Sequence, residues 1–96
     1  MKPSLALEQH RLEARALPLL FKADNLRVFG SVLSGQDHEG SDLDLLVDPL
    51  PGATLFDLGG LQIALESLLG VKVDLLNPRD LPESFRGQVL NAALRV

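Results

Sequence analysis

The sequence predicts a single α/β domain of the α+β type, in which a small mixed sheet of three or four strands is flanked by helices. Two observations predict this class. Short apolar runs with the length of strands alternate with segments in which apolar residues recur at helical spacing. The chain has 96 residues, of which 46% are hydrophobic and 23% are charged. This composition favours one folded core spanning residues 1–96 and excludes a disordered chain.

The N-terminal segment predicts one helix from Ser4 to about Ala16, with Ser4 as its N-cap. Pro18 is predicted to end or restart this helix, because proline lacks the backbone N–H that a helix interior requires. The pair Asp24-Asn25 predicts a turn before the first strand.

Three apolar runs predict strands, and Gly30-Ser31 is expected to close the first of them before a brief helical turn and a polar loop. The connection between the first and second strands allows them to be either parallel or antiparallel, so a mixed sheet is expected. The predicted strands are Leu26 to Phe29, Leu43 to Val47 and Val71 to Leu76.

The second half predicts a helix that Thr54 caps, that runs to about Leu69 and that Gly70 ends. Gly59-Gly60 lies inside it. Because each glycine costs a helix about 1 kcal/mol relative to alanine, either the helix packs closely at this pair, which is the interpretation we favour, or it starts later. A last helical segment is predicted to begin at Asn77 or Asp80. Its apolar residues, which either cover the sheet or dock into a partner, are Phe85, Val89, Leu90, Ala93 and Leu94.

The charge of the chain is uneven, with a formal total of −4. No Lys or Arg occurs between Val28 and Val71. Such an acidic segment disfavours direct nucleic-acid binding and is able to attract a divalent cation, although a solvated acidic surface is the alternative. The acidic residues of the segment are Asp37, Glu39, Asp42, Asp44, Asp48, Asp57 and Glu66.

Other features of the composition indicate a cytoplasmic protein. The chain contains no cysteine, so neither a disulfide framework nor a thiolate metal site is expected. No apolar stretch approaches the roughly 18 to 20 residues that would span a bilayer, and the N-terminus lacks the pattern of a signal peptide.

Three carboxylates form the strongest candidate site. Asp42 and Asp44 flank Leu43 at the start of the second predicted strand, so both point to one face. Asp74 interrupts the apolar third strand, and it joins the pair if the two strands are neighbours. Three hard oxygen ligands suit Mg²⁺ or Mn²⁺. An exposed acid pair is the alternative, and the remaining acids are interpreted as ordinary surface.

A second element is the turn Gly30-Ser31, where glycine allows close backbone approach and the serine offers a hydroxyl and an amide to an anion. Ten residues separate Ser31 from Asp42, so the polar loop is able to bring this corner over the carboxylates. Ser41, directly before the acid pair, is predicted mainly to shape that loop and is included among the candidate ligand-binding residues.

The series Phe29-Gly30-Ser31, ten residues, Asp42-Leu43-Asp44 and then a strand acid at Asp74 resembles the minimal nucleotidyltransferase family, within the polymerase-beta-like nucleotidyltransferase superfamily. The resemblance extends from about Leu26 to the end of the chain. It implies a nucleotidyltransferase-like fold in which Gly30 and Ser31 bind the triphosphate of a nucleotide. It further implies that Asp42 and Asp44 hold metal ions and that Asp74 activates the attacking hydroxyl.

The resemblance also implies a partner. Members of the family often act as antitoxins of HEPN-type ribonuclease toxins, and some transfer AMP from ATP to a toxin tyrosine. This chain contains no Tyr, so such an acceptor lies on another protein. A module that neutralises its partner by contact alone, or an enzyme acting on a small molecule, is the alternative function. A second copy of the chain is a further candidate partner.

One departure from the family concerns basic residues. The family commonly shows Gly-Ser-Arg-x-Arg-Gly, whereas the segment from Gly30 to Gly35 contains no arginine. Basic groups at those positions would neutralise a triphosphate. Lys72, Arg79 and Arg27 are the candidates for replacing them.

Overall fold

A four-stranded mixed sheet forms the centre of the computed structural model, which describes all 96 residues. The strand order is β3-β2-β1-β4, in which β2 and β3 are parallel and the other two pairs are antiparallel. This arrangement confirms the predicted fold class. The strands are β1 Ala23–Phe29, β2 Leu43–Pro49, β3 Val73–Leu76 and β4 Leu94–Arg95.

Helices lie before, between and after these strands. Two short 3₁₀ turns, Pro18–Phe21 and Pro78–Asp80, supplement them. No helix of the structure is long and apolar enough to cross a bilayer. The α-helices are α1 Pro3–Gln9, α2 Arg11–Ala16, α3 Ser31–Ser34, α4 Leu55–Leu69 and α5 Glu83–Ala92.

The N-terminal helix differs from its prediction in two respects. It is interrupted at His10, which separates α1 from α2, and it starts at Pro3 with Lys2 rather than Ser4 at the N-cap position. The Ser4 backbone N–H instead donates to Asp37 Oδ2 at 2.8 Å. A carboxylate from a distant loop therefore accepts a hydrogen bond from a backbone N–H of the first helical turn. Sequence spacing alone does not reveal this contact.

The predicted turn at Asp24-Asn25 is wrong, because both residues belong to β1. The pairing of β1 with β2 is irregular between Asp24 and Arg27, and Asn25 has a positive φ of 58°. Asparagine tolerates this conformation better than most residues, in a bulge as in a turn. The polar pair thus marks an irregularity inside the strand and not its boundary.

Helix α4 begins and ends as predicted. Thr54 Oγ1 accepts from the Asp57 N–H, and Asp57 Oδ2 accepts from the Thr54 N–H, which forms a capping box. Gly70 ends the helix in the left-handed conformation. The close packing predicted for the glycine pair is confirmed at Gly60 only, where an added Cβ would lie 2.9 Å from Phe21 Cε1, whereas Gly59 has open space around it.

We expect Thr54→Ala to lower the free energy of unfolding by about 1 kcal/mol, because it removes the N-cap acceptor of the longest helix. Urea denaturation followed by circular dichroism measures this change. Thr54→Ser is the matched control, since it keeps the hydroxyl and should stay close to wild type. Equal losses in the two variants would contradict a capping role for the hydroxyl.

The C-terminal segment is helical, but it starts later and ends earlier than predicted. Asn77 caps the 3₁₀ turn Pro78–Asp80, and α5 follows from Glu83. Leu94, predicted on this helix, lies in β4 and pairs with Val28. Two residues of edge strand produce no alternation that a sequence pattern could reveal, so the fourth strand was recognisable only through its pairing.

The two faces of the sheet have different roles. Leu43, Leu45 and Val47 of β2 are fully buried in one cluster with Leu61 and Leu65 of α4. Because side chains alternate along a strand, residues 44, 46 and 48 point to the opposite face. That opposite face carries the candidate carboxylates, and the packed core fixes their positions from behind.

Candidate functional site

The parallel pairing of β2 with β3 brings two predicted carboxylates together. Asp44 and Asp74 are register partners, so they share one face on neighbouring strands about 4.8 Å apart. Asp42 lies just before the first residue of β2, two positions from Asp44. Their proximity depends on the pairing of β2 with β3, which could only be assumed from the sequence.

The environment of Asp44 raises the pKa of its carboxyl group. Its side chain is partly buried, and this loss of hydration raises its pKa above the ordinary value of 3.8. The negative charges of Asp74 and Asp42 raise the pKa further. The charged form of Asp44 is therefore disfavoured in the protein alone, and a cation at this position would relieve the repulsion.

Because the pKa of Asp44 is raised, we predict how the stability of the metal-free protein, kept so by a chelator, depends on pH. The folded protein binds a proton at Asp44 more tightly than the unfolded chain, so this group lowers stability as pH rises from about 4 through its folded pKa. Asp44→Asn should therefore be more stable than wild type at pH 7, by up to about 1 kcal/mol, because solvent screening weakens the effect at a group that is only partly buried.

The measurement compares urea midpoints of the two proteins at pH 4 and pH 7. The difference between them should be small at pH 4 and larger at pH 7. Asp37 and Glu39 have lowered pKa values, because hydrogen bonds from the Ser4 N–H and the terminal amine favour their charged forms. Both proteins lose these contributions alike on acidification. A difference independent of pH would contradict the assignment to Asp44.

Gly30 allows the chain to approach Asp44 closely. It follows Phe29, which is the antiparallel partner of Asp44, and it has φ 74° and ψ −147°. A Cβ at this position would overlap Asp44 Oδ2 and lie 3.0 Å from Asp44 Cγ. Both the positive φ and the contact require glycine here. The predicted Gly30 and Asp44 are thus direct neighbours.

The two serines occupy different places around this centre. Ser31 begins α3, and no side chain caps that short helix. Ser41 Oγ accepts from the His38 N–H at 2.9 Å, in keeping with the loop-shaping role predicted for it. The Ser31 carbonyl accepts from the Gln36 N–H at 2.8 Å, which turns the polar loop back after α3.

Only one of the three candidate basic residues lies near the carboxylates. Lys72 Nζ is 4.0 Å from Asp42 Oδ2. Arg27 instead donates to Asp48 Oδ1 at 2.7 Å. Asp48 is four residues beyond Asp44 along β2, roughly 13 Å away. Arg79 borders a separate depression that Asp48 also lines. Both arginines therefore lie near the C-terminal end of β2, away from Asp42 and Asp44.

Two acids outside the candidate site, which the sequence predicts to be ordinary surface, have structural roles. Asp37 is only 7% exposed and accepts from the Ser4 N–H, so the surface interpretation is wrong for it. Asp48 accepts from both Arg27 and Asn25 across the β1 irregularity. No motif marks either residue, because their partners lie more than 20 positions away in the chain.

The chemistry of the three carboxylates suits a divalent cation. As the side chains stand, no three acidic or histidine side chains converge closely enough to form a metal cage. The residues nevertheless fit such an ion in chemistry, since carboxylate oxygens are the ligands that Mg²⁺ and Mn²⁺ prefer. Their backbone placement also fits, because Asp44 and Asp74 are register partners on neighbouring strands and Asp42 lies two positions from Asp44. Ligation requires the carboxylates to rotate toward one another.

Comparison with known proteins identifies the family. The model of the nucleotidyltransferase domain matches residues 8–96. This chain belongs to that family. The match covers every strand of the sheet and all the residues of the site described above, and it confirms the resemblance stated from the sequence.

Individual relatives of this nucleotidyltransferase domain extend over nearly the whole chain. The protein adenylyltransferase MntA of Thermococcus cleftensis is 34% identical over 90 residues, which cover 94% of this chain and 88% of that protein. A solved structure described as a "putative minimal nucleotidyltransferase" is 45% identical, with a TM-score of 0.80, and covers 94% of this chain and 95% of its own.

A further structural match shows the fold alone. A chain in a crystal structure of a toxin-antitoxin with AMP-PNP is 22% identical, has a TM-score of 0.65, and covers 96% of this chain and 70% of its own. The nucleotidyltransferase fold is therefore shared with a protein from a toxin-antitoxin pair.

Proposed function

We propose that this protein is a cytoplasmic, antitoxin-type nucleotidyltransferase that transfers AMP from ATP to a tyrosine hydroxyl of a HEPN-type ribonuclease toxin and so neutralises it. The observation that carries the proposal is the register of Asp44 with Asp74, with Asp42 on the same side and Gly30 packed against Asp44. The protein adenylyltransferase among its relatives supports the reaction class. The shared fold with a toxin-antitoxin chain supports the kind of partner.

The reaction breaks the bond between the α-phosphorus and the bridging oxygen to the β-phosphate and forms a bond from the α-phosphorus to the acceptor oxygen. Asp74 accepts the proton of the acceptor hydroxyl, and pyrophosphate leaves. Asp42 and Asp44 would hold Mg²⁺ or Mn²⁺, which would neutralise the charge that develops on the phosphates. Gly30, Ser31 and Ser41 are proposed to contact the triphosphate.

Lys72 supplies the basic charge that the family's missing arginines would provide. Lys72 lies directly before β3, its ammonium is beside Asp42, and its side chain is largely exposed. A flexible lysine there is able to leave Asp42 and reach a phosphate oxygen. Lys72 would thus provide a cationic group at the site, although the segment between Val28 and Val71 contains no Lys or Arg.

The test uses ATP labelled at either the α- or the γ-phosphate, with Mg²⁺ and the product of the adjacent gene. We expect the α label, and not the γ label, to appear on that protein. No labelling with either nucleotide, or equal labelling by wild type and by the Asp42→Asn/Asp44→Asn variant, would contradict the proposal. Labelling of a small hydroxyl compound in place of the protein would favour the small-molecule alternative.

A second candidate function is neutralisation by contact alone, and an exposed apolar surface favours it. On α4, Phe56, Gly60 and Ile63 share a face at helical spacing, and Phe21 packs on Gly60 between the two exposed side chains. Helix α4 covers the core side of the sheet, so this surface is on the side opposite to the carboxylates. The large exposed apolar residues of α4 are Leu55, Phe56 and Ile63, and Leu12, Leu19 and Leu20 are exposed in the segment before β1.

The effect of Phe56→Asp on toxin inhibition separates the two candidates. Neutralisation by contact should persist without ATP and in the Asp42→Asn/Asp44→Asn variant. Phe56→Asp should weaken it about tenfold or more, because Phe56, at 92% exposed, is the most exposed of the large apolar residues. Phe85→Asp, at an exposed phenylalanine outside this surface, is the matched control. Neutralisation by AMP transfer should instead require ATP and fail in the double Asn variant.

A further inference from the structure

A groove of about 310 Å³ adjoins the candidate site between α3 and α5. Phe29 and Leu33 form one wall, and Val89 and Ala92 of α5 form the other. No charged side chain lines it, which distinguishes it from the acidic surface around Asp44. The groove therefore suits an uncharged, largely apolar group.

Gly30 connects this groove to the carboxylates. It lines the groove, and the carboxylate of Asp44 lies directly against its backbone. An occupant of the groove is therefore adjacent to whatever binds at Asp44. The mixed chemistry, with acids on one side of Gly30 and apolar walls on the other, matches a ligand with a metal-bound polyanionic end and a flat uncharged end.

The polar groups of the groove are few and suited to hydrogen bonding with a ring edge. Gln88 contributes a carboxamide, which both donates and accepts, and its residue is exposed at the groove. Ser34 contributes a hydroxyl, which donates to the Ser31 carbonyl at 3.2 Å and has acceptor capacity remaining. Phe29 adds an aromatic ring on which a base is able to stack.

We propose that this groove binds the nucleobase of the nucleotide substrate and that Gln88 contacts the hydrogen-bonding edge of the base. The proposal rests on the proposed function, because it takes the triphosphate to lie at Gly30 and Asp44. The volume of the groove lies at the lower end of the range for small-molecule sites, in keeping with one ring system. Gln88 then determines base preference, and the apolar walls provide base-independent affinity.

The test measures Mg²⁺-dependent binding of ATP and of inorganic tripolyphosphate by calorimetry. Tripolyphosphate carries the phosphates without a base, so it reports on the carboxylate side alone. Ala92→Trp places an indole in the groove from an exposed helical position. We expect it to weaken ATP binding at least tenfold and to leave tripolyphosphate binding within about twofold of wild type.

Two variants control this result. Ala16→Trp introduces the same side chain at an exposed alanine that does not line the groove, and it should bind both ligands as wild type does. Gln88→Ala should narrow the differences in affinity among ATP, GTP, CTP and UTP, because it removes the polar contact and leaves the walls in place.

The outcomes separate the two proposals. If wild type binds ATP and Ala92→Trp binds it equally well, the nucleobase groove is wrong and the proposed function stands. If Ala92→Trp weakens ATP and tripolyphosphate equally, the effect is not on the base and the groove proposal is also wrong. If wild type binds neither ligand with Mg²⁺, both proposals fail.

Discussion

The Asp42→Asn/Asp44→Asn variant is expected to transfer AMP at least about 10³-fold more slowly than wild type while remaining folded. Activity should fall because both substitutions remove carboxylate charge from the proposed metal site. The fold should survive because asparagine has nearly the same shape and because burial and like charges already disfavour ionised Asp44. Labelling of the partner with α-labelled ATP measures the rate, and circular dichroism checks the fold.

A matched control removes two negative charges elsewhere. Asp24→Asn with Glu83→Gln does so at exposed positions outside the site, and it should keep most of the activity. If this control loses as much activity as the Asp42/Asp44 variant, the effect would follow from net charge and the proposed metal site would be contradicted.

Gly30→Ala is the second change with a large expected effect. Alanine would have to adopt φ 74° and ψ −147°, a region that only glycine enters readily, at a cost of about 1–3 kcal/mol. Its methyl group would also displace the Asp44 carboxylate. We therefore expect a loss of about 2–3 kcal/mol in the free energy of unfolding, measured by urea denaturation, and a loss of AMP transfer comparable to that of the double Asn variant.

Gly35→Ala isolates the contribution of backbone conformation. Gly35 also has a positive φ, of 76°, but an added Cβ would meet nothing within 4 Å. This variant should lose about 1–2 kcal/mol and keep its activity. Equal loss of activity in the two variants would show that the contact between Gly30 and Asp44 is not what matters.

The parts of the fold that follow from local chemistry were predictable from the sequence. The limits of α4 were predicted because Thr54 and Gly70 act through their own backbone neighbours. Asp24-Asn25 has the composition of a turn, yet pairing with β2 holds it in β1 as an irregularity. The edge strand at Leu94 is too short to show alternation and exists because β1 offers it hydrogen bonds.

In the candidate site, too, some features follow from local sequence and others depend on tertiary structure. The side shared by Asp42 and Asp44 follows from their spacing, whereas the partnership of Asp44 with Asp74 requires the parallel register of β2 and β3. The basic residue nearest the carboxylates also depends on tertiary structure. From the sequence, Lys72, Arg79 and Arg27 are equally good candidates for the basic group at the site. The structure excludes Arg27, because its side chain is paired with Asp48.

The central claim is that three carboxylates on one face of this sheet transfer AMP to a partner protein. The most direct test is the intact mass of the toxin after incubation with this protein, ATP and Mg²⁺, followed by peptide mapping. We expect a toxin that is heavier by AMP on a tyrosine and inactive as a ribonuclease. When the Asp42→Asn/Asp44→Asn variant replaces wild type, the mass and the activity of the toxin should not change. A toxin of unaltered mass whose ribonuclease activity is nevertheless blocked would contradict it.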